Sequence, residues 1–389
     1  MYTFRATAAG LGAIGVVVVA GESAFDCAAP LFKPKKADKT RKEGRIFYGH
    51  IVEDDEVVDE ALWVWYEKHP RWCCEVVELN CHGGVAVVER VLEGLIRRGA
   101  KRVSFEQFLD EAVEKGWISG IYAEAEKAVL RCASVAGLRV LSAALDGELE
   151  RKVKEILAFL ECGKLYDAEE NLRRLLVSAE VAVRSVFPPS FLLLGAPNSG
   201  KSSLFNRLVG AERVIVSPVA GTTVDVIEGA FGIDEYIIKV YDAAGVGGCC
   251  GVAESFTIRF AEKVDFLLYL IDGSVPLEEK QKEMMRGLDE KRTLTIINKA
   301  DLPLKVDGVK ADGEISALTG KGIEELKRMM LKKALKGEKG VSLPSFFTKR
   351  QIRRGKEALD ALKSGDFVRA RKSLRNLMKE GKEEGGEFE

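Results

Sequence analysis

Residues 195–203 read Gly-Ala-Pro-Asn-Ser-Gly-Lys-Ser-Ser and fit the pattern G-x-x-x-x-G-K-[ST]. An apolar run at 191–194 precedes them and a helical pattern follows, the setting in which such a loop wraps phosphates. Gly195 and Gly200 let backbone N–H groups turn inward, and Asn198, Ser199 and Ser203 belong to the same wrap. The following helix adds its positive N-terminal pole. Lys201 is placed to neutralise β and γ oxygens, and Ser202 to ligate magnesium. A Gly-rich turn without a ligand is the plainer alternative, but strand, loop and helix in this order argue against it.

The base is read further along. INKAD, residues 297–301, closes an apolar run with Asn298, Lys299 and Asp301. A carboxylate there accepts from both the ring N–H and the exocyclic amine of guanine, whereas adenine has no matching pair of donors. The nucleotide implied is GTP. Ser316 and Ala317 of EISALTGKGI follow at a distance suited to complete the base pocket. Between these stretches, Asp242 of VYDAAG ends an apolar run, as a residue holding magnesium through water must, and Gly245 can swing its N–H toward a γ-phosphate.

These residues need a parallel sheet to hold them. From 191 to about 335 the runs FLLLG, YIIKVYD, DFLLYLID and TLTIIN alternate with helical patterns, the signature of such a sheet. Upstream, residues 1 to about 117 mix short apolar runs with Gly and charged turns. EVVELNCHGG leading into VAVVERVLEGLIRRG predicts strand, turn and helix in an α+β domain. Between 118 and 187 strand signals vanish. Leu149, Val153, Ile156, Leu157 and Leu160 recur at helical spacing, followed by Leu172, Leu175, Leu176, Ala179 and Val183. FPPS at 187–190 punctuates the boundary. After 340 the texture is helical and basic.

Composition bounds the rest. A chain of 389 residues with a formal net charge of -1 supports two or three domains, with no global field toward nucleic acid or anionic lipid. Eight cysteines without a C-x-x-C spacing suit reduced thiols in a cytoplasmic protein. ATAAGLGAIGVVVVA at 6–20 is too short to span a bilayer and suits a buried strand better than a signal peptide, so no membrane role is expected. Cys81 and His82 resemble a nucleophile and base, but strand neighbours point to opposite faces, which favours a packed thiol.

The order GAPNSGKSS, AGTTVDV, DAAG, NKAD, SALTGKG resembles the TrmE-Era-like P-loop GTPases. GAIGVVVVAG, GHIV, VDEALW, VVELNCHGG and YAEAEKAV run in the order of the N-terminal folate-binding domain of the MnmE/TrmE family of tRNA modification GTPases. The resemblance implies an α/β P-loop GTPase domain inserted in an all-α helical domain, preceded by an α+β N-terminal domain. The divisions expected are 1–117, 118–189, 190–336 and 337–389. It also implies GTP hydrolysis coupled to carboxymethylaminomethyl-type modification of the tRNA wobble uridine. Further implications are a homodimer through the N-terminal domain, an MnmG-like flavoprotein partner, tRNA as a partner and a tetrahydrofolate one-carbon donor.

Residue by residue, the resemblance assigns Asn198, Ser217 and Val219 to a potassium ion, and Thr222 and Thr223 to the nucleotide, with Thr223 as a magnesium ligand beside Ser202 and Asp242. Lys201 and Glu254 become the catalytic candidates, Glu254 positioning water; a solvated carboxylate at a helix entry is the alternative for Glu254. Departures from the family pattern gather on the folate side. Leu11 replaces an Arg, Arg71-Trp72-Cys73-Cys74-Glu75 replaces Y-T-G-E-D, Glu111 stands at a basic position, and the C-terminal C-x-G-K is missing. In the G domain, Val224 replaces an Arg and Ala243 a Thr. The folate-side changes weigh against a tetrahydrofolate ligand and raise an alternative function, a nucleotide-switched RNA-binding or ribosome-assembly module. The basic run Lys349, Arg350, Arg353, Arg354, Lys356, then Arg369, Arg371, Lys372, Arg375 and Lys379, reads either as a solvated helix face or as a surface for tRNA phosphates.

Overall fold

The computed structural model describes residues 1–10, 12–36, 40–210, 226–242, 259–338 and 340–379. Its contacts divide the chain into two compact units, one holding Met1–Lys127 and the chain from Val368, the other Ala128–Phe367.

The first unit is built on strands β1 (Tyr2–Arg5), β2 (Ile14–Ala20), β3 (Phe32–Pro34), β4 (Ile46–Glu53), β5 (Glu56–Tyr66), β6 (Val76–His82) and β7 (Lys101–Arg102), with helices α1 (Ala24–Ala28), α2 (Val85–Arg97), α3 (Phe105–Glu114) and α4 (Gly120–Val129). The sheet order is β3-β4-β5-β6-β2-β1-β7. Among the described residues of this sheet, only the β1–β7 pair is parallel. The unbroken valines of β2 follow from cover on both faces. Val17 and Val19 pack with Trp63, Leu79, Leu92 and Leu95, while Val18 and Ala20 pack with Phe4, Trp72 and Phe108. At the start of α3, Ser104 Oγ accepts from the Gln107 N–H and Gln107 Oε1 accepts from the Ser104 N–H, a reciprocal cap worth about 1 kcal/mol. The sequence boundary near 118 lies short of the contact boundary. Ala123 enters the Phe108 core, Lys127 pairs with Asp110 at 2.6 Å, and Arg71 grips Glu126 at 2.7 and 3.0 Å, so α4 stays with the sheet.

The second unit opens with helices α5 (Val135–Leu145), α6 (Glu148–Glu161), α7 (Leu165–Val177) and α8 (Ala179–Val186). The helical spacing from Leu172 to Val183 is shared between two helices, because the chain breaks at Ser178. The Ser178 hydroxyl donates to the Ser342 carbonyl at 3.1 Å and meets Ser345 Oγ at 3.0 Å, which ties the break to a distant segment. Next come β8 (Ser190–Gly195), α9 (Lys201–Val209), β9 (Ile227–Ile233), β10 (Tyr236–Asp242), β11 (Phe266–Asp272), α10 (Glu279–Arg286), β12 (Thr293–Asn298), β13 (Gly313–Glu314), α11 (Ile323–Ala334) and α12 (Lys349–Lys363). A last helix, α13 (Phe367–Lys379), returns almost wholly to the first unit.

The sheet here runs β13-β12-β11-β8-β10-β9. It is parallel except for β9, which pairs antiparallel to β10 from Ile233↔Tyr236 to Ile227↔Asp242. The expected parallel sheet is therefore mixed, and IEGAFGI escaped notice because two glycines and a glutamate dilute its apolar pattern. Arg350, counted with the basic face, is 1% exposed, and Thr348 caps α12 through the Gln351 N–H at 3.1 Å. The basic surface of α12 is thus narrower than its sequence. Among the described residues no helix is long and apolar enough to cross a membrane.

Candidate functional site

The carboxyl ends of β8, β10, β11 and β12 lie together at one edge of the second sheet, the place where open parallel sheets bind ligands. β8 delivers Gly195 at φ 145°, and the chain then turns through Asn198 at φ 65° and Gly200 at φ 95° before α9 begins at Lys201. Both glycines are required by contact as well as by φ. A Cβ on Gly195 would stand 2.4 Å from the Leu270 carbonyl oxygen, and one on Gly200 would stand 2.2 Å from Asn298 Nδ2. Asn198 needs no such clearance, since Asn tolerates the left-handed region.

Inside the loop, Lys201 Nζ donates to the Gly195 and Ala196 carbonyls, both at 2.9 Å. Burial lowers its pKa, while Asp242 opposes the shift. Asp242 ends β10 at 1% exposure. Burial pushes its carboxyl up, against a hydrogen bond from Ser202 and the charge of Lys201. Among the described residues its Oδ1 has no hydrogen-bond partner, and neither has the hydroxyl of fully buried Ser199. A buried carboxylate oxygen left open beside the Ser202 hydroxyl fits a hard, oxygen-seeking cation such as magnesium, which takes one or two protein ligands and completes its shell with water and phosphate. Ser203 is exposed on the first turn of α9.

Asn298 joins the two halves of the site. Its Nδ2 donates to the Ser199 carbonyl at 2.8 Å and its Oδ1 accepts from the Ala317 N–H at 2.9 Å. Phosphate loop and base-side loop are thereby locked through one amide, itself 2% exposed. Lys299, at φ 64°, pairs with Asp272 Oδ2 at 2.5 Å. Burial pushes the Asp272 carboxyl up, but bonds from Lys299 and Ser274 outweigh it and hold the carboxyl below its ordinary value. Asp301 is exposed, beyond the Lys299 turn that Leu302 N–H closes at 2.9 Å. Ser316 is fully buried, with its Oγ accepting from the Thr319 N–H at 3.1 Å.

Two residues here were not singled out from the sequence. Asp272 holds Lys299, and Arg207 in the last turn of α9 donates to the Ala317 carbonyl at 3.2 Å and to the Leu318 carbonyl. An acid ending the apolar run FLLYLID was the available signal for the first; nothing local marks Arg207. Ser217, Val219, Thr222, Thr223, Gly245 and Glu254 lie outside the described residues.

The tempting Cys81 and His82 pair points apart. Cys81 donates its thiol to the Gly15 carbonyl at 3.3 Å, with burial pushing its pKa up to about 11. The exposed His82 ring sits 2.7 Å from Asp59. A thiol held neutral is no nucleophile.

Residues 190–299 match a family model described as 50S ribosome-binding GTPase, and residues 3–116 one described as GTP-binding protein TrmE N-terminus. A tRNA modification GTPase MnmE from Alkaliphilus metalliredigens is 30% identical over 376 residues, covering 86% of this chain and 81% of that protein. Another from Thermus thermophilus is 32% identical over 379 residues, covering 89% and 84%. Among solved structures, the G domain of the T. maritima FeoB iron transporter is 26% identical and covers 38% of this chain and 98% of its own, with a TM-score of 0.31, too low to carry an argument.

Proposed function

The chain belongs to the MnmE family of tRNA modification GTPases, and on that premise we propose that it couples GTP hydrolysis to carboxymethylaminomethyl-type modification of the tRNA wobble uridine. It is a GTP-hydrolysing enzyme. The observation that supports the site best is Asn298, whose amide ties the Ser199 carbonyl to the Ala317 N–H, so phosphate and guanine recognition are held in one register. Lys201, released from two loop carbonyls when phosphate arrives, neutralises β and γ oxygens. Asp301 receives the guanine donors, and Ser202 and Asp242 hold magnesium, which supplies charge neutralisation at the phosphates when bound. The cytoplasm is the compartment that fits this role.

In the same reading, Asn198 with Ser217 and Val219 holds potassium, and Thr223 completes the magnesium shell as Glu254 orients water. The first unit serves as a homodimer platform, and an MnmG-like flavoprotein is the partner for modification. The G domain sits as an insert within one helical domain. Basic residues exposed on α12, Lys349, Arg353 and Lys356, suit tRNA phosphates.

A second reading keeps the GTPase and drops the folate chemistry, leaving a nucleotide-switched RNA-binding or ribosome-assembly module. A specific observation favours it. Around the altered segments the cations are already paired within the first unit, Arg71 by Glu126 at 2.7 Å and Lys101 by Glu111 at 3.0 Å. Glu111 is thus a paired carboxylate that occupies a lysine rather than a lone repelling charge, and its carboxyl is held below the ordinary range by Lys101 and Tyr2. These residues do not fit an acidic tetrahydrofolate. Nucleoside analysis of tRNA from a deletion strain tests the pair of readings: loss of the modified wobble uridine supports the first, and an unchanged profile the second. Calorimetry with a formyl-tetrahydrofolate is the second arm, where micromolar binding would restore the folate chemistry.

A further inference from the structure

The turn joining β9 to β10 lands on the helices. Asp234, at φ 51°, reverses the chain, and the next residue makes two contacts with α5. The Ala136 N–H donates to the Glu235 carbonyl at 3.1 Å, and Arg139 Nη1 donates to Glu235 Oε2 at 2.5 Å. Beside α5 packs α8, which ends just past Ser185. That end is itself fixed to α5. Ser134 Oγ accepts from the Gly137 N–H at 2.8 Å and donates to the Ser185 carbonyl at 2.5 Å. A Cβ on Gly137 would lie 2.4 Å from the same carbonyl, so the two helices touch backbone to backbone.

The opposite end of β10 is Asp242, the carboxylate with an open oxygen beside Lys201 and Ser202. The strand is seven residues long, about 20 Å from end to end at strand rise. β10 is laddered to β9 on one side and β8 on the other, so it resists bending and passes an axial displacement along its length. At the helix end, Ala136 is buried, and its N–H belongs to the first turn of α5, where no intrahelical acceptor exists. The Glu235 carbonyl supplies that acceptor. An amide of this kind is costly to leave unpaired, which makes the contact either formed or broken rather than gradually stretched.

We propose that the β9–β10 turn, seated on α5 through Ala136 and Arg139, is a joint that carries the nucleotide state at Asp242 to the helices preceding the G domain, with Arg139 and Glu235 as its positioning pair. The proposal rests on GTP binding at the site above. It gives the helices a direct mechanical input from the strand that ends at the magnesium carboxylate, independent of α11. Arg139 and Glu235 are half exposed, so their ion pair sets the seating of the turn while the buried amide bond supplies its tightness.

Hydrogen exchange of the full chain, read at the amides of residues 135–139, tests the joint with GDP and with a non-hydrolysable GTP analogue, both with magnesium. The wild type should exchange at different rates in the two states, by about two- to fivefold, the range a surface ion pair and its dependent contact can shift. Arg139→Glu should erase that difference, and Arg139→Glu combined with Glu235→Arg should restore it. Nucleotide affinity, measured in parallel by calorimetry, should stay within about twofold in every variant because the pair is remote from the phosphate loop. Exchange blind to the nucleotide in a wild type that binds both ligands overturns the joint alone. A charge swap that fails to restore the difference overturns the pair's role. Absence of nucleotide binding in the wild type overturns the GTPase reading and the joint with it.

Discussion

Asp301 stands exposed beyond a turn whose backbone is pinned at both sides, by Ala300 N–H to the Ile315 carbonyl at 2.9 Å and by Leu302 N–H to Lys299. Its carboxylate therefore meets the base at a fixed position, and its acceptors set the choice of purine. Asp301→Asn should move preference from guanosine to xanthosine nucleotides, because an amide donates to the extra carbonyl; competition between GTP and XTP reads the shift, and ATP binding as tight as GTP would falsify the guanine assignment. Asp242 makes a different prediction. Its folded pKa is raised above 3.8, chiefly by burial, so the folded chain binds this proton more readily than the unfolded one. Stability contributed by the group thus falls as pH climbs from the unfolded value through the folded one, and the ion is a burden at neutral pH. Asp242→Asn should raise the melting temperature of the nucleotide-free protein by roughly 2–4 °C, as about 1 kcal/mol would, while hydrolysis is lost. A lowered melting point would show the carboxylate to be structurally needed. Spacing alone exposed Gly195, Lys201 and Asn298, since a phosphate wrap needs fixed residue types at fixed offsets. Arg207 and Asp272 escaped because they act through contacts made only after folding.

Elements were legible where one periodicity ran unbroken. The valines of β2 and the run FLLYLID of β11 are buried on two faces and read as continuous apolar segments. β9 and the break at Ser178 were hidden, the first by two glycines, of which Gly229 packs against Phe205 and Val209, the second by hydroxyl bonds to residues far along the chain. The segment joining β5 to β6 shows what sequence cannot display, a buried imidazole. His69 packs edge-on to Tyr66 at 5.0 Å and tilted against Trp72 at 4.6 Å, with Nδ1 accepting from the Arg71 N–H. Burial, helped by Arg71, lowers its pKa from 6.5 to about 4. The unfolded chain therefore binds this proton between those two values while the folded one does not. Stability rises with pH across that window and is lost as pH falls through it, by at most about 3 kcal/mol. Glu78, 3.8 Å from Nε2 and raised by burial, titrates in the opposing sense. His69→Phe keeps the ring packing and removes the proton site, so its melting temperature should decline less than wild type between pH 6.5 and 4. Parallel curves for the two proteins would refute a buried neutral His69.

On the scale of the whole molecule, motif order carried more than local pattern, because the described motif residues at 195–203, 242, 298–301 and 316–317 come from separate strands and loops of one sheet. Where compact units divide was less visible: α13 leaves its sequence neighbour α12 for the first unit, and no composition shift marks that change. Hydrolysis is the property that joins the units in one testable behaviour. Asn198 is exposed at the mouth of the phosphate loop in a left-handed conformation, φ 65°, which aims a neutral amide outward rather than a charged side chain. A fixed monovalent cation there would stabilise transition-state charge as an arginine finger does, a class of contribution worth about 10³–10⁵ in rate. A site sized for potassium loses that benefit with sodium. Pairing of two G domains would close it from outside, and the homodimer proposed above for the first unit would favour that pairing by raising their effective concentration. Hydrolysis should therefore run at least about tenfold faster in potassium than in sodium at equal ionic strength, a conservative fraction of that range. Asn198→Ala should abolish the potassium advantage while GDP affinity holds. Steady-state rates in the two salts decide the matter, because equal rates, or an Asn198→Ala variant that keeps its preference for potassium, remove the cation from the mechanism and leave Lys201 and magnesium as the whole of its charge stabilisation.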